Sequence, residues 1–183
     1  MSANFWGNPE LEPKRAYRYT LEIPELDGAK WIVKKVKKPS FTVTEAEHSF
    51  INHKFYYPGR VEWDKISLTI VDPISPDATE NLMSILSAAG YVFPETEADA
   101  LSTTITKNEA YQALGGQVII RQISGGEVGN PQSTVIEKWT LKNCFITSVD
   151  FGELDYDSDD LVNIEIEIRY DWAVFEKPEG ESP

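Results

Sequence analysis

The sequence predicts a mainly β fold, a β-sandwich or barrel with one packed α-helix. Residues 161–175, LVNIEIEIRYDWAVF, alternate apolar and polar side chains almost without interruption. A period of two buries one face of a β-strand. Shorter runs rich in β-branched and aromatic residues lie between Pro- and Gly-containing turns, which is typical of further strands. Only residues 76–89 combine a helix start signal, an apolar stripe at helical spacing and a glycine stop.

The composition is that of one globular domain, residues 1–183. A chain of 183 residues is long enough to bury roughly 70% of its unfolded surface. The net charge of −13 disfavours wrapping around nucleic acid, because phosphate binding depends on Lys and Arg. No run reaches the roughly 18 apolar residues of a membrane helix, and we expect no signal peptide. Cys144 is the single cysteine, which excludes an intrachain disulfide and fits synthesis in a reducing compartment.

The N-terminal half contains the first predicted strands. Residues 17–23 form one strand, and the basic residues 30–38 form a second. Residues 41–71 are predicted to form a long hairpin. Its turn is expected at Pro58 and Gly59, because this dipeptide separates two extended runs.

The second arm of this hairpin and the final strand, which lies within residues 161–175, each have one apolar and one polar face. In the second arm of the hairpin and in the final strand, apolar residues occupy every second position: Ile66, Leu68, Ile70, Ile164, Ile166 and Ile168. The polar positions between them are Lys65, Ser67, Thr69, Asn163, Glu165 and Glu167. We therefore expect the first set in the core and the second on a wet surface.

The remaining segments complete the predicted fold. The helix at 76–89 is expected to begin with Ser75 as its N-cap and to end at Gly90. A short helical turn is predicted at residues 109–114. Three more strands are predicted at residues 117–124, 134–143 and 144–149. Residues 1–16 form an N-terminal arm, and residues 176–183 have the composition of a flexible tail.

The acidic run at residues 150–160 is the best metal candidate. Asp155, Asp157 and Asp159 have the spacing of a calcium loop. However, Asp160 occupies the position of the sharp-turn glycine, and Ile166 that of the bidentate glutamate. We therefore interpret this run as a solvated or partner-facing loop, and we predict no metal and no cofactor.

Other candidate catalytic residues are weak. His48 and His53 are five residues apart, and alternation along one strand would send them to opposite faces. Cys144 lies in apolar strand sequence, where an inert core thiol is the default. The sequence therefore predicts that the protein is not an enzyme.

An unusual density of aromatic residues surrounds the hairpin. The set is Phe50, Phe55, Tyr56, Tyr57, Arg60 and Trp63. One interpretation is that the hairpin folds back on its own core. The other is a protein interface, since interface centres are enriched in Tyr, Trp, Phe and Arg. We favour the interface, because hairpin tips project from a domain.

Three segments contain distinctive motifs: KKPSF…HKFYYPGRVEWDKISLTIVDP, LGGQVIIRQISGGEV and IEKWTLKNCFITSVDFGELDYDSDDLVNIEIEIRYDWAVFE. The most specific motifs are W-x-L-x-N-C/A-x-I from Trp139, F-G-x-L-D-Y from Phe151 and Y-D-x-A from Tyr170. In their order and character, these segments resemble the tail tube proteins of contractile-tailed bacteriophages and the related tubes of contractile injection systems. The resemblance spans roughly residues 17–175.

This resemblance implies a tail-tube fold whose strands join an inter-subunit β-barrel. Hexameric rings would stack into a hollow tube that conducts DNA or another payload to a target cell during contraction. The long hairpin, here residues 45–63, would reach neighbouring subunits and the next ring. Implied partners are further copies of the chain and sheath, baseplate and tape-measure proteins. The protein would be made in the bacterial host cytoplasm and reside in the virion tail.

Two hypotheses assign surfaces to this assembly. First, a barrel of many strands has a wet lumen, so the polar set of Lys65, Ser67, Thr69, Asn163, Glu165 and Glu167 would face the channel. DNA would pass this wall without specific binding. Second, the basic strand would face the acidic 150–160 run of a neighbour during ring stacking, so that high salt weakens assembly. Its residues are Lys34, Lys35, Lys37 and Lys38, opposite Asp155, Asp157 and Asp159.

Three alternatives remain at the level of the sequence. A baseplate or tail-terminator protein of the same fold would form a single ring. A type VI-like tube would carry cargo. A monomeric carbohydrate-binding β-sandwich would use the aromatic residues near residues 55–63 to stack on sugars.

Overall fold

Two four-stranded sheets and one separate hairpin form the framework of the protein. A computed structural model describes residues 13–26, 33–75, 77–100, 104–124, 135–157 and 159–177. Sheet A has the order β1 (Tyr19–Glu22), β6 (Gln117–Ile123), β7 (Val135–Lys142) and β10 (Trp172–Glu176). Sheet B has the order β2 (Val33–Val36), β5 (Ile66–Val71), β9 (Asn163–Arg169) and β8 (Phe145–Asp150). The predicted mainly β fold is confirmed.

The core lies between the two sheets. Strands β5 and β9 pair antiparallel, with Ile66 opposite Ile168, Leu68 opposite Ile166 and Ile70 opposite Ile164. All six of these side chains are at most 2% exposed. They join Val118, Ile120 and Leu141 of sheet A in one cluster. Burial of each such side chain contributes about 1.5–3 kcal/mol, so the predicted apolar sets hold the sheets together.

The predicted final strand is two strands in different sheets. β9 belongs to sheet B, whereas β10 pairs with β7 in sheet A. The chain turns at Tyr170, which is buried, and Asp171, whose backbone N–H donates to the carbonyl of Lys142. The core-facing positions shift by one residue at this corner, because Ala173 packs on the core after it whereas Trp172 is 46% exposed. Residues 172–175 are all apolar, so the sequence pattern does not reveal this shift.

The predicted hairpin has its turn in a different place. Strands β3 (Phe41–Phe50) and β4 (His53–Trp63) pair through a two-residue turn at Ile51 and Asn52, and β5 belongs to sheet B. The expected turn at Pro58 and Gly59 is therefore wrong. These residues lie within β4 beside a β-bulge, where the Arg60 backbone N–H donates to Thr44 Oγ1 at 2.8 Å.

Physical constraints explain why Pro58 and Gly59 fit a bulge. Proline lacks the N–H that a regular ladder uses, so it is tolerated at bulges and edges. A side chain on Gly59 would begin 2.4 Å from Thr44 Oγ1, which is too close for any Cβ atom. The dipeptide therefore marks a close approach of two strands and not a reversal of the chain.

Helices close one side of the core. Helix α1 (Ala78–Ala88) places Leu82 and Ile85 in the core cluster. Its N-cap is Asp77, whose side chain accepts a hydrogen bond from the Glu80 N–H at 3.1 Å, so the prediction of Ser75 is wrong. Serine and aspartate cap helices about equally well, and the sequence pattern did not separate them. Pro76 lies outside the described residues.

Two further helices follow α1. Helix α2 (Glu97–Ala100) is one turn between the two predicted helical segments, and α3 (Lys107–Ala113) is the second of those segments. α3 buries Ala110 and Ala113, so it packs on the core as α1 does. A 3-10 turn at Pro24–Leu26 contributes Leu26 to the same packing.

The chain ends are only partly described. Residues 1–12 of the predicted arm and 178–183 of the predicted tail lie outside the described residues, as do residues 27–32 before β2. Glu176, assigned to the tail from sequence, is the last residue of β10. Among the helices described here, none is long and apolar enough to cross a membrane.

Candidate functional site

The polar residues predicted to share a surface do so on the outer face of sheet B. Cross-strand pairing places Ser67 opposite Glu167 and Thr69 opposite Glu165, and paired residues project to the same face. Lys65 Nζ lies 3.2 Å from Glu167 Oε2. Asn163 follows the same alternation at the start of β9. The structure therefore brings this predicted set together, while its position in a lumen stays a prediction.

Basic side chains share this face with the carboxylates. Lys35 pairs opposite Thr69, and Lys34 Nζ donates to Asn163 Oδ1 at 3.3 Å. Lys37, two residues after Lys35, continues the ladder, because its N–H donates to the Ser67 carbonyl at 2.8 Å. The face is thus basic at the β2 edge. The sequence pattern does not reveal these cations on the face, because their place depends on the pairing of β2 with β5.

The two edges of sheet B are β2 and β8. Each internal pairing in the sheet is antiparallel, so the four strands alternate in direction. β2 and β8 consequently run in opposite directions. If a second copy is set beside the first, β8 of one copy and β2 of the next are therefore antiparallel. Antiparallel edges pair directly through backbone hydrogen bonds.

The β3–β4 hairpin exposes most of its predicted interface residues. Phe50, Phe55 and Tyr57 are 60%, 49% and 58% exposed. Phe55 pairs with His48, and Tyr57 with Ala46, on one face, whereas Tyr56 lies opposite Glu47 on the other. The hairpin therefore presents aromatic rings on both faces.

Trp63 and Arg60 differ from the other members of that set. The Trp63 ring contacts the rings of Phe41 and Tyr170 at centroid distances of 5.4 and 5.9 Å, so it anchors the base of the hairpin to the core. Arg60 lies at the bulge opposite Thr44. The predicted set thus includes one anchoring residue and one bulge residue besides its exposed rings.

Both histidines lie on one face of the hairpin. His48 pairs with Phe55, and Phe50 pairs with His53. Residues 48 and 50 share a face, so His53 lies on that face too. The expectation of opposite faces is wrong because the turn reverses the chain between the two histidines. Among the described residues no group of three or more potential ligands could hold a metal ion.

The tip of the hairpin is strained. Ile51 has φ +54° and is 83% exposed. A β-branched residue rarely adopts this left-handed conformation. Such strain costs about 1–3 kcal/mol and persists only when something else requires it.

The acidic loop, residues 151–162, connects β8 to β9. Asp155, Asp157 and Asp159 are exposed in it, and the Asp157 N–H donates to Asp155 Oδ1 at 3.0 Å. Leu154 is also largely exposed, and Tyr156 is fully exposed. The loop borders an open cavity of about 800 Å³. It therefore combines charge with unpacked apolar surface.

Lys38 is separated from the other predicted basic residues. Its Nζ contacts Glu137 and Gln122 of sheet A, and Lys14 also contacts Glu137. Glu137 is only 5% exposed. Burial raises its pKa, but hydrogen bonds from Lys14 and Lys38 outweigh burial, so the pKa lies below its ordinary value. Lys38 thus ties the end of β2 to sheet A.

Two other groups have shifted pKa values with structural causes. Burial raises the pKa of Cys144 to about 12, so its thiol is inert at neutral pH. Hydrogen bonds from Lys107 and Asn143 lower the pKa of Asp171. Asp171 thereby joins α3 to the corner between β9 and β10. Both groups belong to the folded framework and lie apart from the surfaces described above.

Solved structures of contractile injection systems share this fold. The cap of the anti-feeding prophage, which terminates its tube, matches with TM-score 0.61 and 15% identity over 91% of this chain and 92% of that chain. A chain of the anti-feeding prophage baseplate matches with TM-score 0.62 and 12% identity over 92% and 98%. A chain of the PVC sheath–tube complex matches with TM-score 0.58 and 15% identity over 91% and 93%.

These comparisons define the fold class. No protein-family model and no curated protein sequence matches the chain. The structural matches cover nearly the full length of both chains, so the fold agrees with the one implied by the sequence resemblance.

Proposed function

We propose that this chain is a structural subunit of a contractile tail or injection particle and that it closes head to tail into hexameric rings. The rings stack into a hollow tube. One observation carries this proposal: sheet B has a polar outer face and two edges that run in opposite directions. Pairing β8 of each subunit with β2 of the next extends the sheet around a closed barrel and removes its edges.

The outer face of sheet B then lines the channel. A closed barrel turns one face inward, and the opposite face of this sheet packs on the subunit core. Lys65, Ser67, Thr69, Asn163, Glu165 and Glu167 are the lumen residues in this arrangement. The inner face of sheet B is already buried in the core of its own subunit, whereas the polar outer face must stay hydrated. Both requirements are met by a wet bore.

The charges of the wall favour passage without a specific grip. Lys34 and Lys35 add cations to the wall, so it is mixed in sign and not purely acidic. Lys65 is already paired with Glu167 at 3.2 Å. A cation beside a carboxylate attracts a phosphate less, because the negative charge of the carboxylate offsets that of the lysine. DNA or a protein payload would therefore slide past.

The hairpin supplies contacts between rings. Two-stranded hairpins alone are at best marginally stable in water, and this one exposes aromatic rings on both faces. Burial of those rings against adjacent subunits would stabilise it. The proposed partners are further copies of the chain together with sheath, baseplate and tape-measure proteins. The proposed location is the particle tail, after synthesis in a bacterial cytoplasm, with no enzymatic role.

A second candidate function is a terminator or baseplate ring. The similarity to the tube-terminating cap and the baseplate chain favours it, because a subunit with this fold need not polymerise. Such a protein would form one ring and stop. A type VI-like tube would polymerise but carry cargo, and a monomeric carbohydrate-binding module would form no ring.

Negative-stain microscopy and native mass measurement of the purified chain test these alternatives. We expect rings with a hollow centre, and tubes at higher concentration. Rings that never stack would favour the terminator or baseplate function. A chain that remains a monomer at every concentration, even with its natural nucleating assembly, would contradict both ring functions.

A further inference from the structure

An open groove lies between the edge strands of the two sheets. It has a volume of about 550 Å³ between β1 and β2. Tyr17 and Tyr19 line one side, and Val33 and Val36 line the other. Tyr17 is 71% exposed and the other three are half-buried, so part of this apolar surface is open within the described residues. Lys34 and Lys35 border the groove.

The acidic loop is chemically complementary to this groove. Leu154 is 84% exposed and Leu161 is 69% exposed, and the Tyr156 side chain projects into solvent. Acidic residues separate these apolar side chains, with Asp155 between Leu154 and Tyr156. The loop thus offers apolar side chains surrounded by negative charge, whereas the groove offers an apolar floor bordered by positive charge.

Strand register places the groove and the loop at the same end of sheet B. Val33, at the start of β2, pairs with Ile70 near the end of β5. Asn163, which directly follows the acidic loop, pairs with Val71 at that end. The groove adjoins one edge of the sheet, and the loop leaves the other edge. A head-to-tail arrangement of copies therefore brings each loop to the groove of the next subunit.

We propose that the acidic loop of each subunit docks into the β1–β2 groove of the next subunit in the same ring. This inference rests on the proposed ring. Leu154 and Tyr156 pack against the apolar floor, and Asp155 and Asp157 face Lys34 and Lys35. The contact is heterologous, because each subunit contributes a different surface to each neighbour, and such contacts form rings when the rotation between copies closes.

The proposed contact lies within a ring, whereas the contact expected from the sequence was between stacked rings. The basic strand was expected to face the acidic run of a neighbour during ring stacking. Lys38 is occupied by Glu137 within its own chain, while Lys34 and Lys35 border the groove. The groove and the acidic loop lie at the same end of sheet B. Neighbours in one ring can therefore bring them together without a shift along the tube axis. A second copy is therefore the occupant that fits.

Charge reversal tests this contact. The first variant carries Lys34→Glu and Lys35→Glu, and the second carries Asp155→Lys and Asp157→Lys. We expect each to raise the ring dissociation constant about tenfold or more, because like charges would then face each other. A third variant carrying all four substitutions restores opposite charges and should recover most of the affinity. Native mass measurement over a dilution series gives the constants.

Three controls separate charge from packing and folding. Glu95→Lys with Glu97→Lys changes net charge by the same amount as the second variant, at exposed positions outside the loop, and should leave the rings intact. Tyr156→Ser removes an apolar contact without altering charge and should weaken the rings as well. Circular dichroism and thermal unfolding of the monomer, measured at concentrations below ring formation, should be unchanged in every variant, because all substituted side chains are exposed.

The outcomes distinguish this inference from the function on which it rests. Recovery in the four-substitution variant supports the docking, because it requires the two surfaces to face each other. Rings whose stability is the same in all variants overturn the docking and leave the ring function intact. Failure of the wild-type chain to form rings overturns both.

Discussion

Strand pairs β5–β9 and β3–β4 are both antiparallel and both rich in apolar residues, yet only one is buried. In β5–β9, alternate residues such as Ile66 and Ile166 are at most 1% exposed. In β3–β4, Phe55 and Tyr57 remain about half exposed. The first pair packs on sheet A and on helix α1. The second forms its own two-stranded sheet, attached to the core through Trp63.

This difference separates the residues that fold the subunit from those available for assembly. The buried face of β5–β9 has its partners within the chain, so it stabilises the monomer. The aromatic side chains of the hairpin have few such partners, so they become buried only when another molecule covers them. The predictions below test that division, in order of decreasing effect.

The largest effect is expected at the β9 core face. Ile166→Ala should lower the free energy of unfolding by about 2–5 kcal/mol, because it removes buried methyl groups and leaves a cavity. Urea denaturation of the monomer measures the change. Tyr57→Ala in the hairpin is the matched control and should change stability by at most about 0.5 kcal/mol. Equal losses at both positions would mean that the hairpin also packs on the core.

The next effect concerns Glu137. Glu137→Gln should cost about 1.5–3 kcal/mol at neutral pH, because it weakens hydrogen bonds from two charged lysines. The folded pKa of Glu137 is lowered. Its stabilisation is therefore complete above the ordinary pKa of about 4.3 and is lost as the pH falls through the folded value.

Denaturation of both proteins across the acidic range measures this pH dependence. The variant should lose less stability on acidification than the wild type, so the two curves converge at low pH. Glu47→Gln, at the exposed pair with Lys54, serves as the control and should leave the pH dependence nearly unchanged. A Glu137 variant that parallels the wild type at every pH would contradict the assigned ion pairs.

Substitution of the exposed aromatic side chains of the hairpin should affect assembly without affecting folding. We expect Phe55→Ser with Tyr57→Ser to reduce the fraction of protein in stacked tubes about tenfold or more, since aromatic residues dominate interface energies. Sedimentation followed by microscopy measures that fraction. The monomer should unfold as the wild type does. Glu62→Ala, at an exposed position near the hairpin base, is the control, and tubes formed equally by all three proteins would argue against an inter-ring role.

The smallest effect is expected at the strained turn. Ile51→Asn should relieve about 1 kcal/mol of local strain, because asparagine tolerates positive φ better than isoleucine. Slower amide hydrogen exchange at Phe50 and His53 would report a better-formed turn, while global stability should hardly change. Faster exchange at both amides would show that Ile51 is not strained in solution.

The sequence predicted local patterns well and non-local pairing poorly. Alternation identified the two faces of β5 and β9, because a period of two depends only on neighbours along the chain. It missed the corner at Tyr170, because residues 172–175 are all apolar and hide the one-residue shift of the core-facing positions. It also mistook the bulge at Pro58 and Gly59 for a turn, because both features favour the same residues.

The same limit applies to the proposed assembly surfaces. The polar face of sheet B followed from alternation, but the presence of Lys34 and Lys35 on it depends on β2 pairing with β5. Exposure of the hairpin rings was inferred from composition. The buried role of Glu137 was missed, although its place two residues before Trp139 and four before Leu141 is that of a core-facing position.

A cryo-electron microscopy map of the assembled ring tests the central claim most directly. The claim is that neighbouring copies join β8 to β2 and turn the polar face of sheet B towards a central channel. The account predicts Glu165 and Glu167 on the channel wall and continuous strand density across each subunit boundary. Rings in which these two side chains point away from the channel would contradict it.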